Sequence, residues 1–211
     1  ICFPAGKRAQ WYFYFGRFFS VDYSKTKRMV LAAMFLALGL LLPLIVGHLF
    51  PMGWVLLPMH IPVLLCGFIC GGPWGLAVGA VTPLLSSLIS NMPPFLPTLV
   101  PSLNAGAVPM AFEMATYGML AGLFYKLFPK KVGFMYVSLI LAMIGGRIVW
   151  GIASYLLLQV FIGPVFTWEF FFSGAFVMVF PGIAIQIVLI PLIMIALQLT
   201  RKKTGSTPKT V

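Results

Sequence analysis

The stretch FMYVSLILAMIGGRIVWGIASYLLLQVF, residues 134–161, runs for 28 residues with one charged side chain, Arg147. A membrane-spanning helix needs about 20 mostly apolar residues. The stretch therefore predicts a transmembrane helix that carries an arginine into the bilayer. An ionisable group in hydrocarbon is costly, so such a group faces the protein interior, a partner charge or a watery cavity. The chain has only three acids, Asp22, Glu113 and Glu169, against 14 Lys and Arg. Glu113 falls inside a second apolar run and Glu169 near a membrane edge. A buried polar site in a polytopic membrane protein points to transport.

The rest of the chain fits that frame. Of its 211 residues 61% are hydrophobic and 8% charged, with a mean hydropathy of +1.06; soluble domains carry about a quarter charged residues. About six spans fit, which predicts an all-α polytopic membrane protein. Helix one is expected over 28–47, helix two over 55–70 and helix three from the Gly71-Gly72-Pro73 turn to Asn91. Residues 92–106 hold Pro93, Pro94, Pro97 and Pro101 and cannot form a regular helix. Helix four is expected over 107–128 and helix five over 134–161. Helix six follows Trp168 and Glu169 and ends near Thr200, with a kink or split at Phe180-Pro181-Gly182. The membrane domain thus covers 25–203, preceded by an aromatic and basic segment, 1–24, without an assigned role, and followed by a polar cytoplasmic tail, 204–211.

The net charge of +11 is distributed as short basic clusters at the ends of apolar runs: Lys25, Lys27 and Arg28; Lys126, Lys130 and Lys131; Arg201, Lys202 and Lys203. This is the positive-inside pattern of cytoplasmic loops rather than a nucleic-acid surface. Six spans place all three clusters on one face, which predicts both termini inside the cell. The loops of the opposite face carry no Lys or Arg. The expected location is the bacterial plasma membrane, as a multi-pass protein in the lipid bilayer.

Depth can be read from the same frame. Helix four enters from outside, so Glu113 lies about 9 Å in. Arg147, entering from inside, is about 20 Å deep in a core of about 30 Å. His60, early in helix two, falls in the same outer half. Glu113 and Arg147 are therefore candidates both for a structural pair and for the lining of an outward pocket, where the planar guanidinium can grip a carboxylate or phosphate. Asn91, Trp150 and Tyr155 complete the candidate substrate site, with Trp54, Asn104, Gln159 and Trp168 at a similar level. No second His stands at metal-ligand spacing, so no metal site is expected. Cys66 and Cys70 read as small packing residues. Small residues four apart, such as Gly75 and Gly79 or Gly118 and Gly122, let helices approach closely. Ala33 and Ala37 in helix one do the same for internal packing or a partner helix.

Several functions are excluded or disfavoured. The chain has no GxxxxGK[ST] loop, HExxH, GxSxG or intramembrane Asp pair. An enzyme is not expected, nor a cofactor.

Four stretches carry a resemblance: Ala33-Met34-Phe35-Leu36-Ala37; Pro58-Met59-His60-Ile61-Pro62-Val63; Gly75-Leu76-Ala77-Val78-Gly79 with Thr82-Pro83-Leu84-Leu85-Ser86-Ser87; and Pro109-Met110-Ala111-Phe112-Glu113-Met114-Ala115-Thr116-Tyr117-Gly118. With six spans and this size, the chain over 25–203 resembles the substrate-binding S component of an energy-coupling factor (ECF) transporter. The resemblance implies a small protein that binds a vitamin or related micronutrient; Arg147 favours an acidic ligand such as pantothenate, with a cobalamin precursor, a pyridoxine-like or a folate-like ligand as alternatives. It implies a transmembrane coupling subunit and two cytoplasmic ATPases as partners. It also implies that Ala33 and Ala37 contact the coupling subunit and that residues 48–55 and 92–106 gate the pocket. The alternative from another class is a non-transporting membrane scaffold or assembly protein in which Glu113 and Arg147 form only a structural pair.

Overall fold

The computed structural model describes residues 23–49, 57–90, 93–95, 106–129, 132–161, 163, 167–172 and 179–203. Backbone polar groups find no water in hydrocarbon, so apolar runs of this length close their hydrogen bonds internally as helices. The elements are α1 (Tyr23–Leu49), α2 (His60–Cys70), α3 (Gly72–Ser90), α4 (Ala107–Leu127), α5 (Val132–Phe161), the short α6 (Trp168–Phe172) and α7 (Phe180–Lys203). All elements among the described residues are helical. Five of the helices are long and apolar enough to cross a membrane.

The remaining bundle member, α2, has 11 residues and so rises only about 17 Å. It starts later than the apolar pattern predicts. Leu57 has a left-handed φ of 49°, an unusual state for a branched residue, and the His60 amide closes the turn on the Leu57 carbonyl at 3.0 Å. This turn makes His60 the first helical residue. α2 packs against α1, α3, α4 and α7, and nine of its eleven residues are buried, Val63, Leu64 and Cys66 completely. It is the central rod of the bundle. Cys66 and Cys70 are free thiols within that core, consistent with a packing role.

α3 and α4 form the tightest seam. A Cβ added to Gly118 would collide with the backbone of Gly75, and one added to Gly122 would collide with the backbone of Gly72. Gly79 likewise faces the Met114 carbonyl. These glycines exist in the seam so that two backbones can touch. α1 lies at the opposite extreme, with 11% of its apolar window buried. Its outer face, including Met29, Val30, Met34, Leu38 and Leu41, is exposed, as a lipid-facing helix requires.

The predicted break at Phe180-Pro181-Gly182 falls at the start of α7, and residues 173–178 lie outside the described residues. α6 ends at Phe172 and α7 begins at Phe180, with Pro181 in its first turn, where a missing amide hydrogen is harmless. The predicted segment up to residue 22, the tail after 203, Asn91, Trp54, Asn104 and nearly all of the two predicted gating loops lie outside the described residues.

Candidate functional site

The site begins with a pair of glycines. Gly145 and Gly146 on α5 face α4, where an added Cβ would collide with the side chains of Leu120 and Tyr117 respectively. Their lack of side chains lets the Tyr117 ring seat directly on α5. That seating places Arg147, the next residue, beside Glu113, one turn from Tyr117 on α4. The Arg147 Nη1 donates to Glu113 Oε1 across 2.9 Å. The Tyr117 hydroxyl donates to the same oxygen across 2.7 Å. Both bonds are charge-assisted, and the arginine bond joins two helices.

His60 closes the group from α2. Its Nε2 lies 3.8 Å from Glu113 Oε1, within ion-pair range but beyond hydrogen-bond reach. Its ring lies 5.4 Å from that of Tyr117 at 57°. His60, Glu113, Tyr117 and Arg147 are 1%, 2%, 1% and 6% exposed. The sequence-predicted trio of His60, Glu113 and Arg147 is thus brought together at the centre of the bundle, at one level.

This group is not saturated. Arg147 spends one nitrogen on Glu113, while Nε and Nη2 are buried with no hydrogen-bond partner among the described residues. Those two N–H groups share one edge of the guanidinium, the edge that binds carboxylate or phosphate with two parallel hydrogen bonds. Both ring nitrogens of His60 are also buried without a partner among the described residues, as are the hydroxyls of Ser87 and Ser154 and both amide atoms of Gln186. Buried polar atoms are overwhelmingly hydrogen-bonded in proteins. Here the exceptions lie toward one end of the bundle, where α2, α4 and α7 begin and α3 and α5 end. No group of three or more potential metal-binding side chains occurs among the described residues.

The other predicted site residues fall elsewhere. Trp150 is partly exposed, and its ring stacks on Phe171 of α6 at 6.3 Å and 27°. Trp168 meets the same Phe171 ring edge-on at 6.3 Å and is itself largely exposed. Tyr155 is 47% exposed, on the face of α5 that carries Ile148 and Ile152, away from the Arg147 stripe. Gln159 and Glu169 are exposed. Three polar residues escaped the sequence reading. Tyr117 sits four residues after Glu113, and Ser154 seven after Arg147, both helical same-face spacings. Gln186 is a lone amide in the apolar run Gly182–Pro191.

A cavity of about 350 Å³ lies on another side of α2, between α1, α2 and α7. Phe35, Leu42, Ile61, Leu65 and Leu189 are among its lining residues, all of which are apolar. A water-soluble ligand gains no hydrogen bond there, so the polar layer is the stronger candidate for recognition.

Comparison with family models decides the class. The model of the ECF transporter substrate-specific component matches residues 27–197, which is 171 of the chain's 211 residues. The chain belongs to that family. It is a multi-pass integral membrane protein and a substrate-binding subunit of an ECF transporter. Association with an energy-coupling module and a small-molecule substrate comes with that membership. Comparisons with curated proteins and with solved structures gave no match.

Proposed function

We propose that this S component binds a water-soluble micronutrient bearing a carboxylate or phosphate, and that the Nε/Nη2 edge of Arg147 grips that oxyanion. Pantothenate is the leading candidate of this class. The observation that carries the reading is the unpartnered edge of a buried guanidinium whose remaining nitrogen is held by Glu113 at 2.9 Å. Glu113 and Arg147 together are close to neutral, so a single pair both joins α4 to α5 and presents donors to a ligand. His60 stands beside them with two ring nitrogens for further hydrogen bonds. The structural-pair alternative and the binding role are therefore compatible in one residue set. Asn91, Trp150 and Tyr155 have no such support.

In this proposal the polar end of the bundle faces outward, with both termini in the cytoplasm as the basic clusters require. Ala33 and Ala37 are exposed on the outer face of α1, where their small side chains allow a transmembrane coupling subunit to approach closely. Two cytoplasmic ATPases supply the energy. Mass spectrometry of the purified chain tests the ligand class. A co-purifying small molecule with a carboxylate or phosphate is the expected result. A tightly held molecule without an oxyanion would remove the basis of the Arg147 assignment.

A further inference from the structure

Gln186 and Ser154 play no part in the Glu113 group, yet both are completely buried and both have unpartnered polar atoms among the described residues. A buried amide without partners is a heavy cost for a core to carry. Gln186 lies on the one buried stripe of α7, with Gly182, Ile190 and Met194. α7 packs against α5 and α2. Gln186 is six residues into α7, and Ser154 is seven residues before the end of α5. Those two helix ends are joined in the chain through α6.

Ser154 shares the buried α5 stripe with Arg147 and Gly151, two turns further along, or about 10 Å. Gly151 between them carries no side chain, and the ring of Phe171 packs against it: an added Cβ would collide with that ring. Along one face of α5 the order is thus a guanidinium edge, an aromatic wall and a hydroxyl, and α7, which carries Gln186, packs against α5.

We propose that Ser154 and Gln186 form a second polar subsite, which reads a neutral amide or hydroxyl group of the substrate. The proposal rests on the assignment of Arg147 as the oxyanion site. It narrows the substrate class to an elongated two-ended molecule. One end is an oxyanion, the middle lies against Phe171, and an amide or hydroxyl follows further along the α5 face. The Gln side chain both donates and accepts, as does the Ser hydroxyl, so the pair matches groups that do the same. A site built to hydrogen-bond a polar group rejects the analogue that lacks it, because its own buried groups are then left unpaired.

The test is titration calorimetry on the full-length purified chain with three probes. Pantothenate has a carboxylate, an amide and hydroxyls; octanoate has a carboxylate and an apolar tail; panthenol has the amide and hydroxyls without the carboxylate. Pantothenate is expected to bind at least about tenfold more tightly than either of the others. Gln186→Leu is expected to weaken pantothenate by about tenfold, leave octanoate unchanged, and raise the melting temperature of the protein without added probe. The last sign follows because an unpaired buried amide is exchanged for an apolar side chain. A merely structural Gln186 predicts a lower melting temperature instead, and that result would overturn the proposal. Octanoate binding as tightly as pantothenate, or pantothenate binding untouched by Gln186→Leu, would overturn the second subsite and leave the Arg147 reading standing. Panthenol binding as tightly as pantothenate, or no binding of any probe, would overturn both. Ser154→Ala removes a single oxygen; it is expected to weaken pantothenate selectively and decides the matter if Gln186→Leu does not fold.

Discussion

The α3–α4 seam and the polar layer around Arg147 are built on opposite principles. In the seam, glycines remove side chains until backbones touch, as at Gly75 and Gly118. In the polar layer, Gly145 and Gly146 also bring helices together, but the contact sets charged and polar groups in place rather than filling space. Several of its buried nitrogens and oxygens have no hydrogen-bond partner among the described residues. The seam spends its sequence on packing, and the layer carries a polar cost that the proposed oxyanion recognition would offset.

Substitutions can break this contrast, and they rank by their effect on the fold. Gly118→Leu attacks the seam where the neighbour is the Gly75 backbone and cannot move aside. It is expected to destabilise by more than about 4 kcal/mol, read as loss of the monodisperse protein after extraction. Arg147→Ala strikes the layer and leaves Glu113 buried without its charge partner; the expected cost is about 3–5 kcal/mol, measured as a fall in thermal stability. Tyr117→Phe removes one hydrogen bond to the Glu113 carboxylate but leaves the Arg147 bond, so its cost is smaller, about 1.5–3 kcal/mol. Replacing both Ala33 and Ala37 with Leu alters an exposed face and is expected to change stability by less than about 0.5 kcal/mol. Uptake in cells is nevertheless expected to be abolished while ligand binding by the isolated chain persists. Loss of binding together with stability would show that these alanines serve internal packing.

The two regions also differ in how far the sequence disclosed them. The seam was readable because small residues four apart on apolar helices have a direct packing meaning. The long helices were readable from length and hydrophobicity alone, with ends agreeing to within a few residues except at the starts of α1, α2 and α7. α2 escaped because a backbone turn at Leu57, not apolar composition, sets its start. In the site, charge in an apolar run picked out Glu113 and Arg147, and helical depth placed His60 with them. Trp150 and Tyr155 were chosen because they follow Arg147 on the same helix; Tyr155 stands on the exposed face with Ile148 and Ile152, and Trp150 stacks on Phe171. The useful signals were phase and context. Tyr117 and Ser154 hold the correct phase relative to Glu113 and Arg147, and Gln186 is a lone amide among aliphatic residues.

The central claim is that Arg147 serves recognition as well as packing, and the double substitution Glu113→Gln with Arg147→Met tests it most directly. It removes both charges while roughly preserving volume, so neither is left buried and unpaired. Binding of the small molecule that co-purifies with the unmodified chain is then measured on folded double mutant. The account predicts an affinity reduced at least about tenfold, equivalent to about 1.4 kcal/mol. Unchanged affinity in a well-folded double mutant would contradict it and reduce Glu113 and Arg147 to a link between α4 and α5.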